Sequence, residues 1–195
     1  MENETLGPHQ ALQIIESMIN TAKNRLSSNG HLYLLWGWVV LTCSLLHFAG
    51  IYWKLFPQPE VVWLGTWVAG IYQVIYLWRH GRKKKITNYT DDILRAIWLV
   101  FVCCGAVTAF VVIRLANWQV MYALILMLYG IPTILSGVVL RFRPLIVGGL
   151  ICWSLSAIAT IVPLMYNLLL IAVAVVVAWI VPGYLLNKKY IMQLN

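Results

Sequence analysis

The feature that most restricts this chain is a run without charge: from Pro144 to Leu186 there is no Asp, Glu, Lys or Arg. As one helix the run would be about 65 Å long, roughly twice the 30 Å of hydrocarbon in a bilayer. It therefore reads as two membrane crossings, with Pro163 and Asn167 offering the turn. The rest of the chain is of the same kind. Hydrophobic residues make up 62% of it and charged residues 10%, against roughly half and a quarter in soluble domains. That balance excludes a soluble enzyme or binding domain and predicts an all-α, polytopic membrane protein.

Charged residues divide the apolar sequence into six predicted spans at about 32–53, 61–78, 93–113, 119–140, 144–162 and 168–186, forming three hairpins. Orientation follows from the placement of Lys and Arg, which favour cytoplasmic loops. Lys23, Arg25, Arg79, Arg82, Lys83, Lys84, Lys85, Arg95, Arg141, Arg143, Lys188 and Lys189 fall in alternate segments, and only Lys54 and Arg114 fall in the others. Both termini are expected in the cytoplasm, with residues 187–195 as a tail. Lys54 to Glu60 and Arg114 to Trp118 are then short external links, and Arg141-Phe142-Arg143-Pro144 is a tight internal turn. Aromatic residues, Tyr52, Trp53, Trp63, Trp118, Tyr122 and Tyr166 near the outer ends and Tyr33, Trp36, Trp78, Trp98, Phe142 and Tyr184 near the inner ones, suit the two interfaces.

Residues 1–30 differ in kind from the spans. Between Ala11 and Leu26 the residues Leu12, Ile15, Ile19, Ala22 and Leu26 recur at helical spacing, while Glu16, Ser17, Asn20 and Asn24 occupy the other side. This is the pattern of an amphipathic helix, expected to lie on the membrane surface or dock on the bundle. The acidic start, Glu2 and Glu4, does not fit a secretory signal.

The basic cluster Arg79, Arg82, Lys83, Lys84 and Lys85, together with Arg141 and Arg143, is expected to face anionic lipids at the cytoplasmic surface. These loops account for the net charge of +8, so no nucleic-acid partner is expected. Thr90-Asp91-Asp92 reads as the N-terminal cap of the third span.

Inside the spans, Gln73, Thr133, Ser136 and Ser154 are the polar groups that must find partners within the membrane. Gly148, Cys152, Ser156 and Thr160 recur at every fourth position, a small-residue stripe that lets helices approach closely. Pro132 predicts a kink in the fourth span without a break, with neighbouring helices, Thr133 and Ser136 re-satisfying the carbonyl it frees.

Chemistry-bearing patterns are sparse. Cys43 and His47 share a helix face at i, i+4 and could join Cys152 or Cys103 around a soft metal, but no acidic residue lies in any span to support them. The four cysteines fall mid-span without a C-x-x-C pattern, so no disulfide framework, metal or cofactor is expected. H-E-x-x-H, G-x-S-x-G and paired intramembrane carboxylates are lacking, and the chain is not expected to be an enzyme.

The segment IIESMINTAKN, the LLWGWVVL of the first span and the G-I-P-T-x-x-S-G-x-x-L-R-F-x-P-L-x-x-G-G hairpin together resemble a group of small multi-span bacterial inner-membrane proteins of unknown function. The resemblance implies a bacterial inner membrane and no chemistry. The function expected is that of a non-catalytic membrane protein acting by helix packing and association. Its partners would be a second copy, another membrane protein or a cytosolic protein, which it would anchor or signal to. The alternative is a small transporter or channel for a small solute or ion, which would need a polar cavity around the four intramembrane polar groups.

Overall fold

The computed structural model describes residues 8–55, 57–81 and 89–192, with side chains described over 30–55, 57–79 and 92–188. All the described secondary structure is helical. The elements are α1 (Pro8–Tyr52), a 3-10 turn (Pro59–Trp63), α2 (Leu64–Gly81), α3 (Tyr89–Leu115), α4 (Trp118–Val139) and α5 (Arg143–Ala159). A second 3-10 turn (Leu164–Tyr166), α6 (Asn167–Val175), a π-helical turn (Val176–Ile180) and α7 (Val181–Met192) complete the chain. Five stretches are long and apolar enough to cross a membrane, and α5, of 17 residues, is a shorter sixth.

Helix α1 is the first difference from the expectation. The segment predicted as a separate amphipathic helix is continuous with the first span, giving one helix of 45 residues. Ser27, Ser28, Asn29 and Gly30 are poor helix formers, but none forbids a helix, as proline would. Gly30 is held by packing: a Cβ there would sit 2.4 Å from the Asn187 side chain of α7. The side chains of Ala11 to Leu26 lie outside the described residues.

Contacts along the helices show their directions. Gly30 meets Asn187, Gly37 meets Ile180 and Phe48 meets Tyr166, so α1 runs antiparallel to α6 and α7. Gly130 meets Gly149 and Gly137 meets Ile146, so α4 and α5 form an antiparallel hairpin. The fully buried residues Val40, Leu126, Leu145, Leu168, Ile171 and Val175 fill the space between these helices.

The RFRP turn has a specific geometry. The Phe142 N–H donates to the Gly137 carbonyl at 2.8 Å and the Arg141 N–H to the Val138 carbonyl at 3.1 Å. Arg141 has a φ of 50°, which makes this a Schellman cap with arginine at the position that usually holds glycine. Pro144 then falls in the first turn of α5, where its missing N–H costs nothing. Lys54 (φ 51°) and Ala116 (φ 50°) lie just past the ends of α1 and α3 in the same left-handed conformation.

Two span ends move. Helix α5 stops at Ala159 rather than near 162, because Thr160 and Ile161 bond to Ala157 and Ile158 in a tightening turn before Pro163. The last predicted span is interrupted by the π-helical turn at 176–180. Pro182 explains it: the proline offers no N–H to the Ala178 carbonyl four residues back, and a wider turn re-registers the ladder. Helix α3 already begins at Tyr89, so Thr90 lies inside its first turn and does not precede it. Asp92 there is 3.8 Å from Arg95, an exposed pair.

Candidate functional site

The polar groups of the membrane interior are where function would be written, and most of them are committed to neighbouring helices. The Trp36 indole N–H on α1 donates to the Gln73 side-chain carbonyl on α2. Thr133 donates to its own helix at the Tyr129 carbonyl, 2.6 Å, and accepts from the Trp179 indole, 3.1 Å, on the π-helical turn. Ser154 is exposed and donates back to Leu150 at 3.2 Å. Ser136 is 0% exposed and its hydroxyl has no hydrogen-bond partner. Helix α4 passes through the buried Pro132 unbroken. Neither helper expected there takes the freed Leu128 carbonyl: Thr133 bonds one residue further along, and Ser136 bonds nothing.

The small-residue stripe on α5 does not share one environment. At Gly148 a Cβ would lie 2.7 Å from the Ala178 Cα and 3.0 Å from the Val177 carbonyl, so α5 meets the π-helical turn backbone to backbone. Cys152 is fully buried, while Ser156 donates to the Ala123 carbonyl of α4 at 2.7 Å. Thr160 is exposed and bonds only Ala157. Close α4–α5 backbone approach instead uses Gly130 and Gly149, each with a notional Cβ 2.9 Å from the other's carbonyl. Both glycines belong to the hairpin motif, outside the four-residue stripe; a Gly pair facing across an antiparallel hairpin is the signal in the sequence that marks this contact.

Cys43 and His47 do share one face, and that face meets the first 3-10 turn. The Cys43 thiol donates to the Val62 carbonyl at 3.3 Å, and His47 Nδ1 accepts from the Trp63 indole at 2.9 Å. Cys152 is buried on α5 and Cys103 is exposed on α3. Among the described residues no three His, Cys, Asp or Glu side chains come together as metal ligands. Of the basic cluster, Arg79, Arg141 and Arg143 are exposed; Arg82, Lys83, Lys84 and Lys85 lie outside the described residues.

Tryptophan carries more of the architecture than an interfacial pattern implies. Besides Trp36, Trp63 and Trp179, Trp153 reaches across from α5 to the Met127 carbonyl at 3.2 Å. An aromatic cluster, Tyr33, Trp98, Phe101, Tyr129 and Trp179, joins α1, α3, α4 and the π-helical turn, with ring centroids 4.6–6.3 Å apart. Rings this close are packed against one another. At the opposite end, the Gln119 amide donates to the Ala159 and Val162 carbonyls at 2.6 and 2.7 Å, capping the C-terminus of α5 from α4. In the sequence Gln119 marks no more than a span boundary. Asn167, a turn marker in the sequence, is fully buried with neither amide atom bonded, and Ser44 on α1 is also buried and unbonded.

No protein-family model matches the chain, and no curated protein or solved structure matches it.

Proposed function

We propose that this is a non-catalytic integral membrane protein, multi-pass in a bacterial inner membrane with both termini cytoplasmic, that works by helix packing and association. The observation that carries the reading is the bond between Trp36 and Gln73, which commits the most polar side chain of the second span to a helix contact. Two helices are left with outward faces: 6% of the apolar window in α2 and in α3 is buried, against 33–50% in the windows of α1, α4 and the α6–α7 segment. These faces suit a second copy or another membrane protein. The length of α1 before Gly30, about 33 Å for residues 8–29, gives a cytosolic partner something to hold. Arg79, Arg141 and Arg143, with the basic residues Arg82 to Lys85, suit anionic lipids.

Native thiols supply the test. Cys103 and Cys104 are exposed on α3, and oxidation of membranes holding the full chain should give a covalent dimer or a defined heteromer through them. Reporter fusions after Leu140 and Leu186 should report cytoplasm and one near Gln58 the outside; an external C-terminus would sink the topology. A second reading, a small transporter or channel for a small solute or ion, draws on the buried unbonded side chains of Tyr33, Ser44, Ser136 and Asn167. It displaces the first if proteoliposomes show a flux that Gln73→Leu abolishes while the protein stays folded.

A further inference from the structure

Helix α1 holds the turn that leads into α2 by a bond whose chemistry fixes a protonation state. His47 on α1 is 8% exposed, and its Nδ1 accepts from the Trp63 indole N–H at 2.9 Å. The two rings meet edge to face, with centroids 6.4 Å apart. An indole N–H can only donate, so the nitrogen it reaches carries no proton and the imidazole is neutral. One helical turn back on the same face, the Cys43 thiol donates to the Val62 carbonyl at 3.3 Å. Together the two bonds seat the 3-10 turn Pro59–Trp63, and α2 begins at the next residue, Leu64.

A proton on His47 undoes the first bond and leaves the second. The imidazolium carries N–H groups on both ring nitrogens, so a donor then faces the Trp63 donor, and a buried charge needs a new partner. Glu60 is placed to be that partner. It precedes Trp63 by three residues in a 3-10 turn, where side chains at that spacing eclipse, and its carboxylate acts on His47. The other titratable groups on the elements packed here are Cys43 of α1, Tyr122 of α4, on which Glu60 also acts, and Tyr166 of the second 3-10 turn, which packs on Phe48. We propose that this pair is a proton-operated latch: neutral His47 holds the Trp63 indole, and with it the turn into α2, while protonated His47 releases the indole and turns to the Glu60 carboxylate. The charge-assisted bond to Glu60 compensates the new charge. In the topology proposed above the turn lies outside, so the latch responds to external pH; the latch itself rests neither on that topology nor on association.

The test is a titration of the 15N-labelled full chain in nanodiscs by NMR, from about pH 8 to about pH 4, a window that brackets the ordinary imidazole value. The His47 ring nitrogens should pass from the neutral form with bare Nδ1 to the imidazolium, and the Trp63 indole N–H signal should move to its unbonded position at the same midpoint. Amide exchange at Val61 to Leu64, corrected for its intrinsic pH dependence, should quicken about fivefold across that midpoint, as for one lost hydrogen bond. In His47→Gln the indole signal and the corrected exchange should no longer follow pH; if that variant does not fold, exchange in Trp63→Phe makes the same comparison. Glu60→Gln should move the midpoint to lower pH, and a midpoint that stays put overturns the hand-over to Glu60. The latch itself is overturned if His47 stays neutral throughout, if it titrates while the Trp63 indole does not move, or if the indole still follows pH without His47.

Discussion

Helices α4 and α5 pack with their backbones almost touching, whereas α2 and α3 leave most of their surface outside the bundle. In the first pair, Gly130 and Gly149 leave no room for a methyl group, and Gly148 brings α5 equally close to Ala178. Among the described residues α2 packs on α1 and the first 3-10 turn, and α3 packs on α4. The polar fastenings of α2 and its 3-10 turn include Trp36 to Gln73, Cys43 to Val62, Trp63 to His47, and His31 beside Tyr72. Cβ atoms added at Gly70 and Gly105 meet nothing. Lipid supplies no hydrophobic drive for helix association, so backbone proximity is what consolidates a bundle there. The contrast separates a consolidated core, α1 with α4 to α7, from two helices with faces free for other contacts.

Gly148→Leu attacks the core side of that contrast most directly. The new side chain meets backbone atoms of the π-helical turn, which cannot swing aside, and the cost should be about 3 kcal/mol, the upper end of overpacking effects. Thermal unfolding in detergent measures it; a variant that melts like the parent would deny the core its tight packing. Ser156→Leu should cost less, because only a side-chain bond to the Ala123 carbonyl and a partly buried position are lost. Gln119→Leu comes next. Two hydrogen bonds to the α5 terminus disappear, worth about 1–2 kcal/mol together, and hydrogen exchange at Ala159 to Val162 should quicken before the rest of α5 does.

Legibility in the sequence varies with the physics. Span positions follow from the lack of charge, and the six apolar helices lie where hydropathy puts them, because crossing a membrane is a property of composition. Helix ends are harder. Arg141, Lys54 and Ala116 adopt left-handed caps that glycine would advertise and these residues do not. The π-helical turn is hidden because Pro182 lies inside an otherwise unbroken apolar span, where it looks no different from Pro132 in a helix that stays α-helical throughout. Partner choice is least legible. Gln73 stands out in the sequence as a polar group needing a contact, but its donor, Trp36, looks like an interfacial residue, and nothing in one sequence pairs a tryptophan on α1 with a glutamine on α2. The orphaned Asn167 is invisible for a related reason: burial at a helix start depends on what packs above it.

Between core and periphery lies the Trp36–Gln73 fastening. Gln73→Leu removes one intramembrane hydrogen bond, worth about 0.6 kcal/mol on average. The expected result is a small drop in stability with the core intact, seen as unchanged protection of α4 and α5 and greater exchange in α2. A loss comparable to Gly148→Leu would mean that α2 belongs to the core after all.

The smallest stability effect should come from the other exposed helix and carries the most functional information. Gly105 on α3 has open space where a side chain would grow, and Cys103 and Cys104 beside it are exposed. In the isolated protein Gly105→Leu should therefore change stability by no more than about 0.5 kcal/mol. If α3 is an association face, the same substitution holds partner backbones apart, and oxidative crosslinking through Cys103 or Cys104 should fall sharply while the melting temperature stays put. If crosslinking in the parent is absent, or persists unchanged in the variant, Gly105 faces lipid and the association reading loses its α3 surface. If instead the variant melts early, α3 is packed more closely than its exposed face shows, and the division into a consolidated core and a free periphery fails at its outer edge.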